Sequence, residues 1–298
     1  MLPFAILIGG ATATGKTRLA FEIQEKIPSI ILNADSMQVY EDLQTLTNMP
    51  DKKDIIKHSC NLFGYIQYPD KCSVGNWHKN VKSILEVKKN KIPIFVGGTG
   101  LYLDSLNGNM SNIPEINLRV QRNVEEIHAK FGNNYFYEKL KKIDKSYSKI
   151  ISKNDSQRLI RAISVKLSTG RNLSYWHLKK TKKLFKKIVY VSVVKDRKEL
   201  YEIINLRCKK ILNSDVKNEI ISFMKKKKNI NHPLHKSIGL AILFDFFSGK
   251  IGFDQALEIF SQETRQYAKR QFTWFKNRSI DSKKLEYQEA KKFVLKNI

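Results

Sequence analysis

Gly10-Ala11-Thr12-Ala13-Thr14-Gly15-Lys16-Thr17 places two glycines, a lysine and a hydroxyl at the spacing G-x-x-x-x-G-K-[ST]. Glycines let backbone N–H groups turn inward around phosphate oxygens, the lysine adds a point charge, and the hydroxyl can ligate Mg²⁺. This is the chemistry of a phosphate-binding P-loop, with Lys16 and Thr17 as its working side chains. Read alone, the motif fits ATP or GTP. Asp35-Ser36-Met37-Gln38 supplies a carboxylate that could act as a general base, bind a metal or cap a turn. Gly97-Gly98-Thr99-Gly100-Leu101-Tyr102 brings bare backbone toward a ligand and offers the Thr99 hydroxyl. No apolar run ends in a second carboxylate of the Walker B kind, which argues against an ordinary ATPase or GTPase.

Two further segments carry cations. In Asn154–Ala162, Arg158 and Arg161 stand three apart on one helical face, either as a phosphate clamp or as a solvated basic face. Thr264 to Lys276 reads TRQYAKRQFTWFK, placing Arg265, Lys269, Lys276 and Phe272 on one side and Tyr267 with Trp274 on another. Cations interleaved with aromatics suit an RNA surface. On this reading Trp274 belongs to the core and the Arg and Lys face outward. His232 and His235 have no third ligand nearby in sequence, so no metal site is read there.

The elements that must position these groups follow from periodicity. Leu2–Ile8, Ser29–Leu32 and Ile92–Val96 are short apolar runs ended by turn residues, alternating with helical patterns such as Thr17–Ile27. Strand, helix, strand is the pattern of a parallel sheet covered by helices, whose ligands sit at the carboxyl ends of the strands. Three segments therefore meet at one rim: 10–17, 35–40 and 97–102. The texture turns charged and helical from Asn112 to Lys153, a β-rich run returns at Lys187–Val194, and helices are expected beyond Asp196. The expected organisation is a core of residues 1–112 and 153–298, with an inserted helical domain at 113–152.

Composition narrows the partners. Fifty-four Lys and Arg against 28 Asp and Glu leave a formal charge of +26, an excess that favours polyanions over neutral metabolites. Cys60, Cys72 and Cys208 are an odd number with no CxxC pair, as expected for a reducing cytoplasm. The N-terminal apolar run lacks a basic flank and reads as a buried strand, and no apolar stretch reaches membrane-spanning length.

Taken in order, these motifs resemble those of the tRNA dimethylallyltransferases (tRNA isopentenyltransferases). Gly10–Thr17 is similar to the family's P-loop, Asp35–Tyr40 to its D-S-x-Q-x-Y, and Val96–Tyr102 to its V-G-G-T-G-L-Y. Asn154–Ala162 resembles N-D-x-x-R-x-x-R-A, and Thr264–Trp274 resembles T-R-x-Y-A-K-R-Q-x-T-W. Ala11 and Thr14 replace the usual Pro and Ser, and the 45–50 and 59–62 loops depart from the family's pattern.

The resemblance implies a P-loop NTPase-like α/β fold: a parallel sheet flanked by helices, with a small helical insert and a helical C-terminal region. It implies transfer of a dimethylallyl group from dimethylallyl diphosphate to N6 of adenosine-37 in tRNAs reading codons that begin with U. Diphosphate is then the leaving group, which accounts for a P-loop without a Walker B acid. The implied catalytic residues are Asp35, Thr99, Lys16 and Arg161. Diphosphate binding falls to Gly10, Ala11, Thr12, Ala13, Thr14, Gly15, Lys16 and Thr17, with Mg²⁺ on Thr17. The implied tRNA contacts are Asp35, Ser36, Met37, Gln38, Thr99, Arg119, Gln157, Arg158, Leu159, Ile160 and Arg161. The chain is expected to be a cytoplasmic monomer. Prenyl transfer to free adenylate, a small-molecule kinase and a non-catalytic RNA-binding protein are the alternatives.

The charge generates the first prediction. tRNA affinity should fall steeply with salt, by about a thousandfold between about 50 and 200 mM, in a filter-binding titration. A salt-independent affinity would show that the basic surface does not hold RNA.

Overall fold

A computed structural model describes residues 2–108, 110–226, 232–279 and 281–298. In chain order its elements are β1 (Leu2–Gly10), α1 (Lys16–Gln24), β2 (Ser29–Asn33), α2 (Lys52–Lys57), β3 (Cys60–Asn61), α3 (Val74–Val87), β4 (Ile92–Val96), α4 (Gly100–Leu106), α5 (Leu118–Ile143), α6 (Lys145–Ser148), α7 (Ser156–Thr169) and α8 (Leu173–His177). There follow β5 (Phe185–Val193), α9 (Arg197–Leu212), α10 (Val216–Lys225), a 3₁₀ turn (Pro233–Lys236), α11 (Leu240–Phe247), α12 (Phe253–Asn277), β6 (Lys283–Leu285) and α13 (Tyr287–Lys296). Of the lysine run 225–228, Lys227 and Lys228 lie outside the described residues.

The chain divides into two compact units, residues 1–107 with 184–298, and residues 108–183. The first holds a six-stranded parallel sheet of order β3-β2-β4-β1-β5-β6. Its central strands are apolar on both faces because both are covered. Ala5 and Leu7 of β1 and Phe95 of β4 enter a core closed by Trp77 of α3, Leu103 of α4, Ile204 of α9 and Phe275 of α12. Ile6, Ile8, Ile94 and Val96 point the other way, onto Leu19 and Ile23 of α1 and Ala290 and Val294 of α13. Because β4 lies between β1 and β2, the carboxyl ends of all three strands are neighbours, and the three rim segments meet there.

Strand β6 departs from the sequence reading, which ran helices from Asp196 to the end. Lys283–Leu285 pairs with Val191–Val193. Three residues are too few to show a period, so this strand is specified by the open edge of β5.

The second unit closes around Val124, Phe136, Leu140, Leu159, Ile163 and Leu173. It extends past the expected 113–152 because the apolar stripe of α7, Leu159-Ala162-Ile163, packs into the same core as α5. Asp155 caps α7 by accepting from the Arg158 N–H at 3.1 Å, and Gly170 ends it in a left-handed turn (φ 70°). Helix α5 is broken at Gly132, whose φ of 71° interrupts the helical backbone.

Crowding at the end of β4 leads to a test. A Cβ on Gly97 would lie 2.1 Å from both the carbonyl carbon and oxygen of Ala34. Gly97→Ala is expected to destabilise the protein by about 3 kcal/mol in urea unfolding. A midpoint equal to wild type would mean the strand ends can part without penalty.

Candidate active site

The P-loop takes its shape from backbone conformations that few residues accept. Gly10 has φ 138°, Ala13 φ 64° and Gly15 φ 87°, and a Cβ on Gly10 would meet the Val193 carbonyl oxygen at 2.5 Å. The turn is closed from within: the Thr14 hydroxyl donates to the Ala11 carbonyl at 2.9 Å, and the Lys16 ammonium donates to the same oxygen at 2.5 Å. Lys16 and Thr17 open α1, so its free N–H groups and the positive end of its dipole face the loop.

Asp35 follows β2. The buried side chain of Asn33 accepts from the Asp35 N–H at 2.8 Å and donates to the Asp35 carbonyl at 3.0 Å. Trp77 fixes Asn33 in turn, its indole N–H donating to the Asn33 carbonyl at 2.8 Å. Asp35 Oδ1 accepts the Met37 N–H at 3.0 Å, and Oδ2 points toward Gly98, where a Cβ would lie 3.3 Å away. Thr99 joins the two loops: its hydroxyl accepts from the Ser36 N–H at 2.9 Å and donates to the Ser36 hydroxyl at 3.1 Å. Gln38 turns away, its amide donating to the Thr47 and Asn48 carbonyls at 3.0 Å each.

Three residues of the rim escaped the sequence reading of the site. Gln271 of α12 accepts from the Thr12 N–H at 2.7 Å and donates to the Gly98 carbonyl at 3.0 Å, tying the P-loop to the Gly97–Gly100 turn. Arg207 of α9 donates to the Thr12 hydroxyl at 2.8 Å, adding a second cation. Tyr267, half-buried on α12, lies in the field of Asp35, and burial raises its phenol well above the ordinary value. Gln271 and Tyr267 lie inside the TRQYAKRQFTWFK segment, the available signal; nothing near Arg207 in sequence marks it. Trp274 corrects the core assignment. It is half-buried with its indole edge against Gly100, while Gln271 and Phe275 are the buried side chains. Lys269, Phe272 and Lys276 are exposed, as expected of an outward face, whereas Arg265 of the same expected face is half-buried and donates to the Asn205 side chain at 2.6 Å.

Burial sets the electrostatics. Desolvation lowers Lys16 from 10.5 to about 8; Asp35 opposes that shift and Arg207 adds to it. Arg207 is likewise lowered by burial, with Asp35 opposing. The rim thus holds two poorly solvated cations around one carboxylate, a site in want of an anion. Among the described residues no three His, Cys, Asp or Glu side chains gather as a metal cage. The Thr17 hydroxyl and the Asp35 carboxylate are oxygen donors of the kind that fits Mg²⁺, which keeps most of its shell in water and phosphate oxygens.

The remaining implied residues belong to the 108–183 unit. Arg158 and Arg161 are both exposed on α7, and Arg158 pairs with Asp155 at 3.2 Å. Gln157 is exposed, Ile160 half-buried, and Leu159 is wholly inside the unit's core, so only its backbone can meet a ligand. Arg119 is exposed in the first turn of α5.

Comparison with known proteins identifies the family and the fold. Residues 38–278 match the family described as IPP transferase. A tRNA dimethylallyltransferase of Pelagibacter ubique is 42% identical over 92% of this chain and 88% of its own length. That of Bartonella quintana is 37% identical over 91% and 92%. The crystal structure of a tRNA delta(2)-isopentenylpyrophosphate transferase from Staphylococcus epidermidis superposes with a TM-score of 0.66 at 28% identity, covering 99% of this chain and 97% of that one. A eukaryotic dimethylallyltransferase captured acting on tRNA gives 0.79 over 96% of this chain and 74% of its own, and at 23% identity shares the fold.

Two outcomes follow from the geometry. Gln271→Ala leaves the Thr12 N–H and the Gly98 carbonyl unpaired and should lower unfolding free energy by about 2 kcal/mol while weakening diphosphate binding. An unchanged denaturation midpoint would remove the bridge from the account. Since Lys16 carries its charge only below about 8, affinity for dimethylallyl diphosphate in calorimetry should fall as pH rises through that value. Lys16→Met should bind weakly with a flat profile; a fall shared by both proteins would assign the titration elsewhere.

Proposed function

The chain belongs to the IPP transferase family, and from that premise we propose how its rim carries out prenyl transfer to tRNA. The dimethylallyl group of dimethylallyl diphosphate moves to N6 of an adenosine, adenosine-37 in tRNAs reading codons that begin with U. The carbon–oxygen bond to diphosphate breaks, a carbon–nitrogen bond forms, and the amine proton leaves for a base. The observation that supports this best is the placing of the Asp35 carboxylate in the mutual field of two desolvated cations, Lys16 and Arg207, on a P-loop with no second acid. Such a rim favours a departing anion.

In this reading the inward N–H groups of residues 10–17, Lys16 and Arg207 bind the diphosphate and hold the charge that grows on it. Thr17 would hold Mg²⁺ beside the diphosphate, and the ion would supply further charge neutralisation. Asp35 Oδ2 accepts the hydrogen bond and then the proton of the N6 amine, a poor nucleophile whose alignment matters as much as the base. Thr99 keeps the Asp35 loop in place through its two bonds to Ser36. Arg161, with Arg158, Gln157, Ile160, the backbone at Leu159, and Arg119, meets the tRNA; the adenosine leaves its stack to reach the site. No helix among the described residues is long and apolar enough to cross a membrane.

Incubation with radiolabelled dimethylallyl diphosphate, Mg²⁺ and either unmodified tRNA or AMP tests the assignment. Label is expected in tRNA and not in AMP, with Asp35→Asn slower by about a hundredfold to ten-thousandfold. Label in AMP alone would make the protein an adenylate prenyltransferase, and ATP hydrolysis without label would make it an NTPase.

A further inference from the structure

The 108–183 unit carries an open cavity of about 580 Å³, walled by Ser146, Lys166, Arg171, Ser174, Tyr175 and Leu178. Its floor is apolar: Tyr175 is 39% exposed and Leu178 83% exposed, side by side on and just after α8. Its rim is cationic. Arg171 sits 5.3 Å and Lys179 5.6 Å from the centre of the Tyr175 ring. A partly exposed aromatic ring with two cations beside it has the two parts that a nucleotide needs, a stacking plane for the base and charge for the phosphate.

The frame around the cavity is held firmly. Gly170 turns the chain left-handed after α7, with its carbonyl accepting from the Lys166 ammonium at 3.0 Å. Asp144 accepts from the Ser174 N–H at 2.9 Å, and the Trp176 indole donates to the Thr169 hydroxyl at 3.0 Å. Lys179 is anchored by its carbonyl, which accepts from the Asn112 N–H at 2.7 Å. The ring therefore stays in place while the long cationic side chains above it can move. Stacking of a base on an aromatic ring outweighs an exposed cation–π contact, so an arriving base can displace a cation from the ring toward its own phosphate.

We propose that this cavity is a second RNA contact, taking one nucleotide of the tRNA outside the reacting adenosine, its base on Tyr175 and its phosphate on Arg171 and Lys179. The proposal rests on the reading of the protein as a tRNA prenyltransferase. Within this unit Lys and Arg far outnumber Asp and Glu, so charge complementarity points to nucleic acid as the occupant.

The test uses the full chain, unmodified tRNA and dimethylallyl diphosphate. Tyr175→Ala should weaken tRNA binding about five- to a hundredfold in filter binding. The transfer rate at saturating tRNA and the apparent affinity for dimethylallyl diphosphate should stay at wild-type values. Tyr175→Phe, which keeps the stacking plane, should bind within about twofold of wild type, and Arg171→Ala should lower the log–log salt slope by about 0.7 to 0.9. A wild-type enzyme that prenylates tRNA while Tyr175→Ala and Arg171→Ala both bind it unchanged overturns the cavity proposal and leaves the prenyl-transfer reading intact. Equal loss in Tyr175→Ala and Tyr175→Phe overturns it as well, since stacking would then not be the cause. A wild type that neither binds nor labels tRNA overturns both.

Discussion

Where β4 leaves the sheet its backbone runs so close to the end of β2 that no side chain fits: a Cβ on Gly97 would lie 2.1 Å from the Ala34 carbonyl. The rest of the rim depends on that approach. It lets the Thr99 hydroxyl reach Ser36 at 2.9 Å and so holds the Asp35 loop at a fixed height beside the P-loop. It also leaves room for Gln271, which fills the space over Gly98 and joins that turn to Thr12. Three loops that would each be mobile alone become one surface because parallel strands deliver their ends together and bare backbone lets them touch.

That surface is short of negative charge. Lys16 and Arg207 are both pulled out of water, and one carboxylate stands against them. In a poorly solvated site such an imbalance favours an anionic ligand and rewards charge that develops during reaction. The same arrangement serves a group whose leaving part is diphosphate and whose nucleophile must lose a proton. A nucleotide hydrolase needs an additional acid to direct water, and the sequence supplies none in the expected setting.

The second unit follows a different rule. Its order comes from the apolar stripes of α5 and α7 closing on Leu140, Leu159 and Ile163. Burying those stripes forces the intervening residues outward, so Arg158 and Arg161 share a solvent face and Leu159 between them is fully enclosed. An RNA-binding surface on such a helix is the complement of its core.

Motifs whose function lies within a few residues were legible from the start. Gly10–Thr17 encodes its turn through glycines, Lys16 and Thr17; Ile92–Val96 is a strand as its apolar run indicates; Asp35 and Thr99 stand at strand ends. The family order of five motifs completed that reading. What the tertiary structure decided lies far apart in the chain. Arg207 meets Thr12 across 195 residues and Gln271 meets it across 259, and β6 exists because β5 offers it an edge. Trp274 is half-exposed while its neighbour Phe275 is buried, and the indole edge lies where a Cβ on Gly100 would come within 2.0 Å of it. Local sequence sets backbone angles and periodicity, which depend on near neighbours. Which distant cation or amide completes a site depends on how whole helices pack, and that is settled only when the cores close.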